Sequence, residues 1–235
     1  MRDLIKQEQF EIEVLNRLNS GQFLRSLVFC GGTMLRLCHG LNRFSVDLDF
    51  WLPARIKINP EGIRKLFRGI RDHLARDYAL SDAENKFYTM LFELKSPRYP
   101  RNLKIEIRKD AGKVRTEKVI AYSRFANDQV FLTAVSLEYM MKSKIETFIQ
   151  RKEIRDAFDL EFLLKKGIAL SSDTEILEKI TGILESLSKR DYTVKLGSLL
   201  ENEQRKYYIS ENFKILKRAI REKINAASVN PHDPT

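Results

Sequence analysis

The pattern of apolar and polar positions predicts alternating helices and strands over the first fifty residues. Residues 3–27 carry apolar side chains at helical spacing, interrupted by one glycine. Residues 27–29 have the composition of a buried strand and lead into a pair of glycines. Residues 33–39 then show the pattern of a short helix, and residues 45–52 alternate as a strand does. We therefore expect the order helix, strand, helix, strand.

The middle of the chain predicts one longer helix followed by further strands. Asn59 before Pro60 is a typical helix start, and the helix is expected to run to about residue 78. Strands are predicted at residues 87–94 and 103–108, separated by the turn-forming run SPRYPRN, and residues 114–122 form either a strand or a loop.

From Ser136 onward the pattern is helical. Helices are predicted at about 136–150, 155–166, 172–189 and 203–226. We therefore expect an α+β chain with three parts: a mixed core with flanking helices at 1–135, a helical C-terminal domain at 136–228, and a flexible tail at 229–235.

Composition and charge narrow the class of protein. The 235 residues are 43% hydrophobic, which is enough for a folded core. The formal charge of +10 favours a polyanionic partner such as nucleic acid or a nucleotide, because the summed field of lysine and arginine attracts phosphates. A basic protein without such a ligand is the alternative.

The cysteines and the absence of a long apolar segment indicate a cytoplasmic protein. Cys30 and Cys38 are the only cysteines, too few for a disulfide framework or a complete zinc site. The N-terminal region is charged throughout, and no window of the sequence is long and apolar enough to span a bilayer. We expect no membrane association.

Two aspartates stand in the apolar run FSVDLDFWL. Residues two apart in a strand project from the same face, so Asp47 and Asp49 point together while Leu48 and Phe50 face the opposite side. Two adjacent carboxylates repel, and a hard divalent cation such as Mg²⁺ would compensate them. The alternative is that both lie on the solvent face of an edge strand.

The glycine pair upstream favours a ligand site. Gly31 and Gly32 follow the first strand and precede Thr33 at a helix N-terminus, where unpaired N–H groups and the helix dipole attract phosphate. A tight turn that requires positive φ would also explain the glycines. Together with the aspartates, however, the pair forms the two halves of a nucleotide and metal site.

Further candidate residues lie later in the chain. Glu106 alternates with Ile105 and Ile107, so it would lie on the face opposite the isoleucines and supply a third carboxylate, or belong to an exposed strand face. The helical region adds charged residues that could belong to the site or simply to solvated helix faces. They are Lys144, with Lys142 as the alternative lysine, and Arg151, Arg155, Asp156 and Asp159.

Three motifs resemble those of the AbiEii/AbiGii toxin family of nucleotidyltransferase-fold proteins. The run CGGTMLRLCHGLNRFSVDLDFWL resembles the family's first motif, with Gly-Gly-Thr, a short helix and Arg-Phe-Ser-x-Asp-Leu-Asp-Phe. LKIEIRKD is similar to its later strand with a third carboxylate, and VSLEYMMKSKIETFIQRKEIRDAFDLEFLL to its lysine helix followed by Arg-Asp-x-x-Asp-Leu. The motifs keep the family's order over about residues 27–165.

The resemblance implies a polymerase beta-like mixed sheet and a role for each matching residue. The implied metal ligands are Asp47, Asp49 and Glu106, and the implied triphosphate residues are Gly31, Gly32, Thr33, Arg43 and Ser45, with Arg43 pairing with Asp47 or with phosphate. Lys144 would neutralise nucleotide phosphates, together with Arg151, and either Asp156 or Asp159 would be the late catalytic acid or would orient Arg151 or Arg155. Glu106 stands where many nucleotidyltransferases have aspartate, although the family tolerates glutamate.

The resemblance also implies a reaction. An acceptor hydroxyl would attack the α-phosphate of an NTP with the help of two Mg²⁺ ions, pyrophosphate would leave, and the acceptor would be an RNA such as a tRNA 3′ end. The protein would then be the toxin of a toxin–antitoxin pair with a cognate antitoxin. The alternatives are transfer to a protein or small molecule, a kinase-like phosphotransferase, and a catalytically silent nucleic-acid-binding module.

Overall fold

The computed structural model describes residues 1–53, 59–109, 112–170 and 173–229. Contacts divide the chain into two compact units, Met1–Ser136 and Leu137–Thr235. The helices of the first unit are α1 (Arg2–Ser20), α2 (Gly31–His39) and α3 (Pro60–Leu74). Its strands are β1 (Val28–Cys30), β2 (Asp47–Trp51), β3 (Ala79–Asn85), β4 (Thr89–Lys95), β5 (Leu103–Arg108), β6 (Thr116–Tyr122) and β7 (Gln129–Val135).

The strands of the first unit form one mixed sheet in the order β3-β4-β5-β2-β1-β7-β6. β2 runs parallel to β5, and β1 runs parallel to β7, whereas the other neighbouring strands are antiparallel. The predicted α+β class with a mixed sheet and flanking helices is therefore confirmed.

One face of the sheet is apolar and forms the core of this unit. Leu48 and Phe50 of β2 are at most 1% exposed, and the ring of Phe50 lies 5.1 Å from that of Phe29 on β1. Phe67 of α3 stacks on Phe92 of β4 with ring centroids 5.0 Å apart, which places α3 over the same face. Each such buried side chain contributes roughly 1.5–3 kcal/mol, and together they hold β2 rigidly.

The start of α3 is confirmed, but its end and the next strand differ from the prediction. Asn59 accepts a hydrogen bond from the Gly62 backbone N–H at 2.7 Å, and Pro60 occupies the first turn, so the predicted cap exists. The helix ends at Leu74, about four residues before the predicted end. β3 and β7 had no predicted counterpart, and residues 116–122 form a strand rather than a loop.

The second unit is helical in its described residues. Its helices are α4 (Leu137–Arg151), α5 (Ile154–Lys165), α6 (Thr174–Ser186), a π-helical turn (Asp191–Leu196), α7 (Asn202–Glu211) and α8 (Lys214–Val229). Residues 171–172, at the predicted start of the third helix, and residues 230–235 of the predicted tail lie outside the described residues. No helix in the described parts of the chain is long and apolar enough to cross a membrane.

The single helix predicted at 203–226 is two helices. Asn212 and Phe213 adopt positive φ angles of 48° and 57°, which end α7 before α8 begins. Phe213 is fully buried, and its ring centroid lies 5.7 Å from that of Tyr192 and 5.1 Å from that of Tyr208. Burial of this ring compensates the unfavourable backbone conformation, which the helical spacing did not reveal.

Candidate active site

Gly31 brings the N-terminus of α2 against a carboxylate of β2. Its φ is +78°, a conformation that side chains rarely adopt, and a Cβ atom built on it would lie 2.5 Å from Oδ2 of Asp49. Only glycine therefore permits both the turn and this close approach. The glycine signal in the sequence reflects a backbone that must come close to a charged group.

Gly32 makes a second close approach, to the segment before β2. A Cβ atom there would lie 2.5 Å from an Nη atom of Arg43 and 3.0 Å from Oγ of Ser45. Arg43 is buried, and its other Nη donates to the Phe44 carbonyl at 3.1 Å. Thr33 Oγ1 donates to the Asp47 carbonyl at 2.5 Å and fixes α2 to the start of β2.

The residues implied for triphosphate binding therefore lie together. The first turn of α2 offers backbone N–H groups that have no partner within the helix, and the helix dipole is positive at this end. A guanidinium and a hydroxyl border the same turn. This arrangement suits an anionic ligand beside the carboxylates.

The parallel pairing of β2 with β5 brings the three implied metal ligands to one face of the sheet. Asp49 lies opposite Glu106, and Asp47 lies opposite Lys104. Neighbouring strands are about 4.8 Å apart, so the paired side chains are adjacent. Both strands alternate between buried apolar and partly exposed charged residues, which confirms the predicted strand faces.

Lys104 is the contact that sequence reasoning missed. Its Nζ lies 2.7 Å from Oε2 of Glu106, and both side chains are partly exposed. The hydrogen bond to Glu106 raises the pKa of Lys104 most, burial opposes it, and the charges of Glu106, Asp47 and Asp49 add to the rise. The alternation of Lys104 with Glu106 was the available signal, and it indicated a shared face but no ion pair.

The acidic residues fit a hard divalent cation by their chemistry. Three carboxylates on one face provide the oxygen donors that Mg²⁺ prefers, beside a turn with space left by Gly31. Among the described residues, no three Asp, Glu, His or Cys side chains are close enough to share one ion. Glu106 is turned toward Lys104, so its side chain would have to change partner to join Asp49 on a metal.

Glu11 of α1 is a buried carboxyl group that the sequence pattern did not reveal. It is fully buried, and neither carboxylate oxygen has a hydrogen-bond partner among the described residues. Burial raises its pKa well above the usual value, the charges of Glu8 and Asp47 raise it further, and Arg36 opposes the shift. Glu8 itself binds Arg36 and accepts from Ser123 Oγ at 2.6 Å.

In the second unit, Lys144 is the centre of a buried ionic cluster. Its Nζ lies 2.9 Å from Oδ1 of Asp156 and 2.6 Å from Oδ2 of Asp159, and the three side chains are 10%, 4% and 0% exposed. Oδ2 of Asp156 is buried without a hydrogen-bond partner in the described residues. Lys142, by contrast, is exposed.

The sequence left open whether Asp156 and Asp159 act in catalysis or orient Arg151 or Arg155, and the cluster shows which side chain they contact. Asp156 and Asp159 both bind the same lysine, whereas Arg151 and Arg155 are exposed on the surface of the unit. Both aspartates therefore contact Lys144, and burial distinguishes Lys144 from Lys142 where helical spacing did not.

Comparison with solved structures shows the same fold in two proteins. The crystal structure of JHP933 from Helicobacter pylori aligns with 95% of this chain and 98% of its own, with a TM-score of 0.55 and 18% sequence identity. A candidate nucleotidyltransferase from H. pylori covers 91% of this chain and 96% of its own, with a TM-score of 0.55 and 19% identity. No curated protein matches the chain in sequence.

Family comparison gives the identity that the three motifs implied. The family model described as "Nucleotidyl transferase AbiEii toxin, Type IV TA system" matches residues 13–226, which include the glycine turn, both strands with carboxylates and the lysine cluster. The chain is an enzyme of the nucleotidyltransferase class and belongs to the AbiEii nucleotidyl transferase toxin family of type IV toxin–antitoxin systems.

Proposed function

We propose that this nucleotidyltransferase moves an NMP from an NTP to a hydroxyl group of an RNA, such as a tRNA 3′ end, and acts in this way as a toxin. The approach of Gly31 to Asp49 is the observation that carries the proposal. It joins an anion-binding helix terminus to a carboxylate pair, which is the combination that a metal-bound triphosphate requires.

The residues around the turn bind the triphosphate in this proposal. The first N–H groups of α2, at Gly31, Gly32 and Thr33, donate to phosphate oxygens, while Arg43 and Ser45 add a positive charge and a hydroxyl donor. Arg43 is already buried and fixed to the Phe44 carbonyl. Little side-chain entropy is then lost when phosphate binds.

Asp47, Asp49 and Glu106 would hold Mg²⁺, with two ions as the expected number. A metal ion held there would lower the pKa of the acceptor hydroxyl and would neutralise charge on the departing pyrophosphate. Leu48 and Phe50 anchor the strand in the core, so Asp47 and Asp49 keep a fixed orientation.

Residues of the second unit keep the roles that the family resemblance implies. Lys144 is assigned to the nucleotide phosphates, and Asp156 and Asp159 position its ammonium group. Arg151 is exposed and is also assigned to the nucleotide phosphates. A cognate antitoxin is the expected protein partner, because the family belongs to toxin–antitoxin systems.

An RNA acceptor is supported by the net charge of +10, which favours association with a polyanion. The test incubates the purified protein with each NTP labelled at the α-phosphate, Mg²⁺ and total cellular RNA. We expect label in small RNA. Label only in protein or in small molecules would contradict the RNA acceptor, and transfer of label from the γ-phosphate instead would identify a phosphotransferase.

A further inference from the structure

The outer face of the β6–β7 hairpin exposes a cluster of large apolar side chains. Ile120, Tyr122 and Phe131 are 48%, 53% and 62% exposed. Ile120 lies directly opposite Phe131, and Tyr122 lies two residues further along, so the three share one face. We call Lys118, Ile120, Tyr122 and Phe131 the aromatic face. Packing in the core does not explain why large apolar side chains occur at these exposed positions.

The aromatic face belongs to the same side of the sheet as the carboxylates. Phe29 pairs with both Phe50 and Ala134, so these three residues share the apolar side. Side chains along a strand alternate between the two sides of the sheet. Asp49 is one residue from Phe50, and Phe131 is three residues from Ala134, so both project from the opposite side. Strand spacing and rise put them roughly 15–20 Å apart.

The charges around the aromatic face are mainly positive, although Asp128, next to the Gln129 that pairs with Tyr122, is also exposed. Lys118 Nζ donates to Thr133 Oγ1 at 2.8 Å and lies 5.6 Å from the ring centroid of Phe131. Arg115 and Arg124, close by in sequence, are exposed. Glu117 pairs with Ala134 and so projects from the other side. Cations beside exposed rings match a ligand that has both phosphates and flat bases.

We propose that the aromatic face binds the single-stranded end of the RNA acceptor. Bases stack on Tyr122 and Phe131, which as diagonal neighbours lie about 7–8 Å apart, and Lys118 neutralises a phosphate. Sheet faces with two or three exposed aromatic residues are a common platform for unpaired RNA. The inference rests on the proposed function and deepens it, because it requires that the acceptor be unpaired near its reacting end.

The test uses fluorescence anisotropy to measure the affinity of the full chain for a labelled single-stranded RNA in the absence of NTP. The affinity for a fully paired RNA of equal length is measured for comparison. Phe131→Leu keeps apolarity and removes the stacking ring, so we expect affinity for the single strand to fall roughly fivefold or more. Phe131→Trp should retain it. Phe87→Leu, which changes a ring 85% exposed on the β3–β4 turn, is the matched control and should bind normally.

Two results would overturn the proposal. One is equal affinity of Phe131→Leu and the unaltered chain for the single strand while both keep the same thermal midpoint. The other is a dimer in sedimentation velocity that Phe131→Leu converts to a monomer, which would make the face a self-association surface. If the Phe131 variant shows no loss of affinity but the unaltered chain still labels RNA, the aromatic face is contradicted and the proposed function stands. If the unaltered chain binds single-stranded RNA through this face but does not label RNA, the proposed function is contradicted instead.

Discussion

Both units contain a lysine held by acidic side chains, and the two clusters differ in their access to water. Lys104 and Glu106 of the sheet are 44% and 39% exposed in their side chains. Lys144 in the helical unit is 10% exposed, and its partners Asp156 and Asp159 are almost fully buried. Of these two clusters, one is therefore in contact with solvent and the other lies inside a core.

This difference decides what each cluster can do. An exposed pair contributes only about 0–1 kcal/mol, so Glu106 can leave Lys104 for another cation at low cost. A buried pair that loses one partner leaves an uncompensated charge, which costs about 3–5 kcal/mol. We infer that the sheet cluster is built for exchange of ligands and the helical cluster for fixed positioning.

The largest expected effect is on activity, in the exposed region. Asp49→Ala should reduce Mg²⁺-dependent turnover of NTP roughly a thousandfold or more, because the carboxylate that contacts the glycine turn is lost. The thermal midpoint should change little, since Asp49 is only partly buried. Turnover with labelled NTP and growth after expression are the measurements. Asp82→Ala on the edge strand β3 is the control, and toxicity that persists in Asp49→Ala would favour a silent binding module.

The next largest effect is on stability, in the buried region. Lys144→Met should lower the free energy of unfolding by about 3–5 kcal/mol, because the buried Asp156 and Asp159 would lose the cation that they share. Urea unfolding followed by circular dichroism measures the loss. Lys142→Met changes an exposed lysine on the same helix and should stay within about 0.5 kcal/mol of the unaltered chain. Equal stability of the two variants would contradict a positioning role for the cluster.

Local patterns were enough to predict the backbone geometry at the centre of the candidate site. The alternation in β2 gave the face of Asp47 and Asp49, and the glycine pair gave the turn that meets them. Both signals depend on neighbouring residues and on the period of a strand, which a sequence displays directly. The parallel pairing of Asp49 with Glu106 needed the tertiary structure, and only the resemblance to a family indicated it.

The features that escaped prediction depend on distant contacts. The break between α7 and α8 is stabilised by the packing of Phe213 against Tyr192 and Tyr208, and the one local signal for it is Asn212, which caps α7 in the left-handed conformation. β3 carries a mostly polar, partly exposed sequence whose strand conformation comes from pairing with β4. The burial of Lys144 was hidden because helical spacing does not state which charged residue faces the core.

Glu11 extends the comparison to a buried carboxyl group in the first unit. Because its pKa is raised in the folded chain, the folded state keeps a proton that the unfolded state loses above its ordinary pKa of 4.5. Stability should therefore fall as pH rises above 4.5, by up to about 1.4 kcal/mol per pH unit from this group. Glu11→Gln should remove that slope in urea titrations between pH 5 and pH 7. Glu84→Gln, an exposed change on β3, should retain it, and an unchanged slope in Glu11→Gln would show that the folded group is ionised.

The smallest expected effect tests whether the exposed lysine competes with a metal. Lys104→Met removes a positive charge beside Glu106, Asp47 and Asp49, so Mn²⁺ should bind more tightly by about 1 kcal/mol, or roughly fivefold. Electron paramagnetic resonance of free Mn²⁺, without nucleotide, measures this directly, and Lys95→Met at the end of β4 is the control. Stability should change by less than about 1 kcal/mol, because the ion pair is exposed. Unchanged or weaker Mn²⁺ binding in Lys104→Met would mean that Lys104 does not compete with a metal ion for these carboxylates, and it would contradict a ligand-exchange role for the exposed cluster.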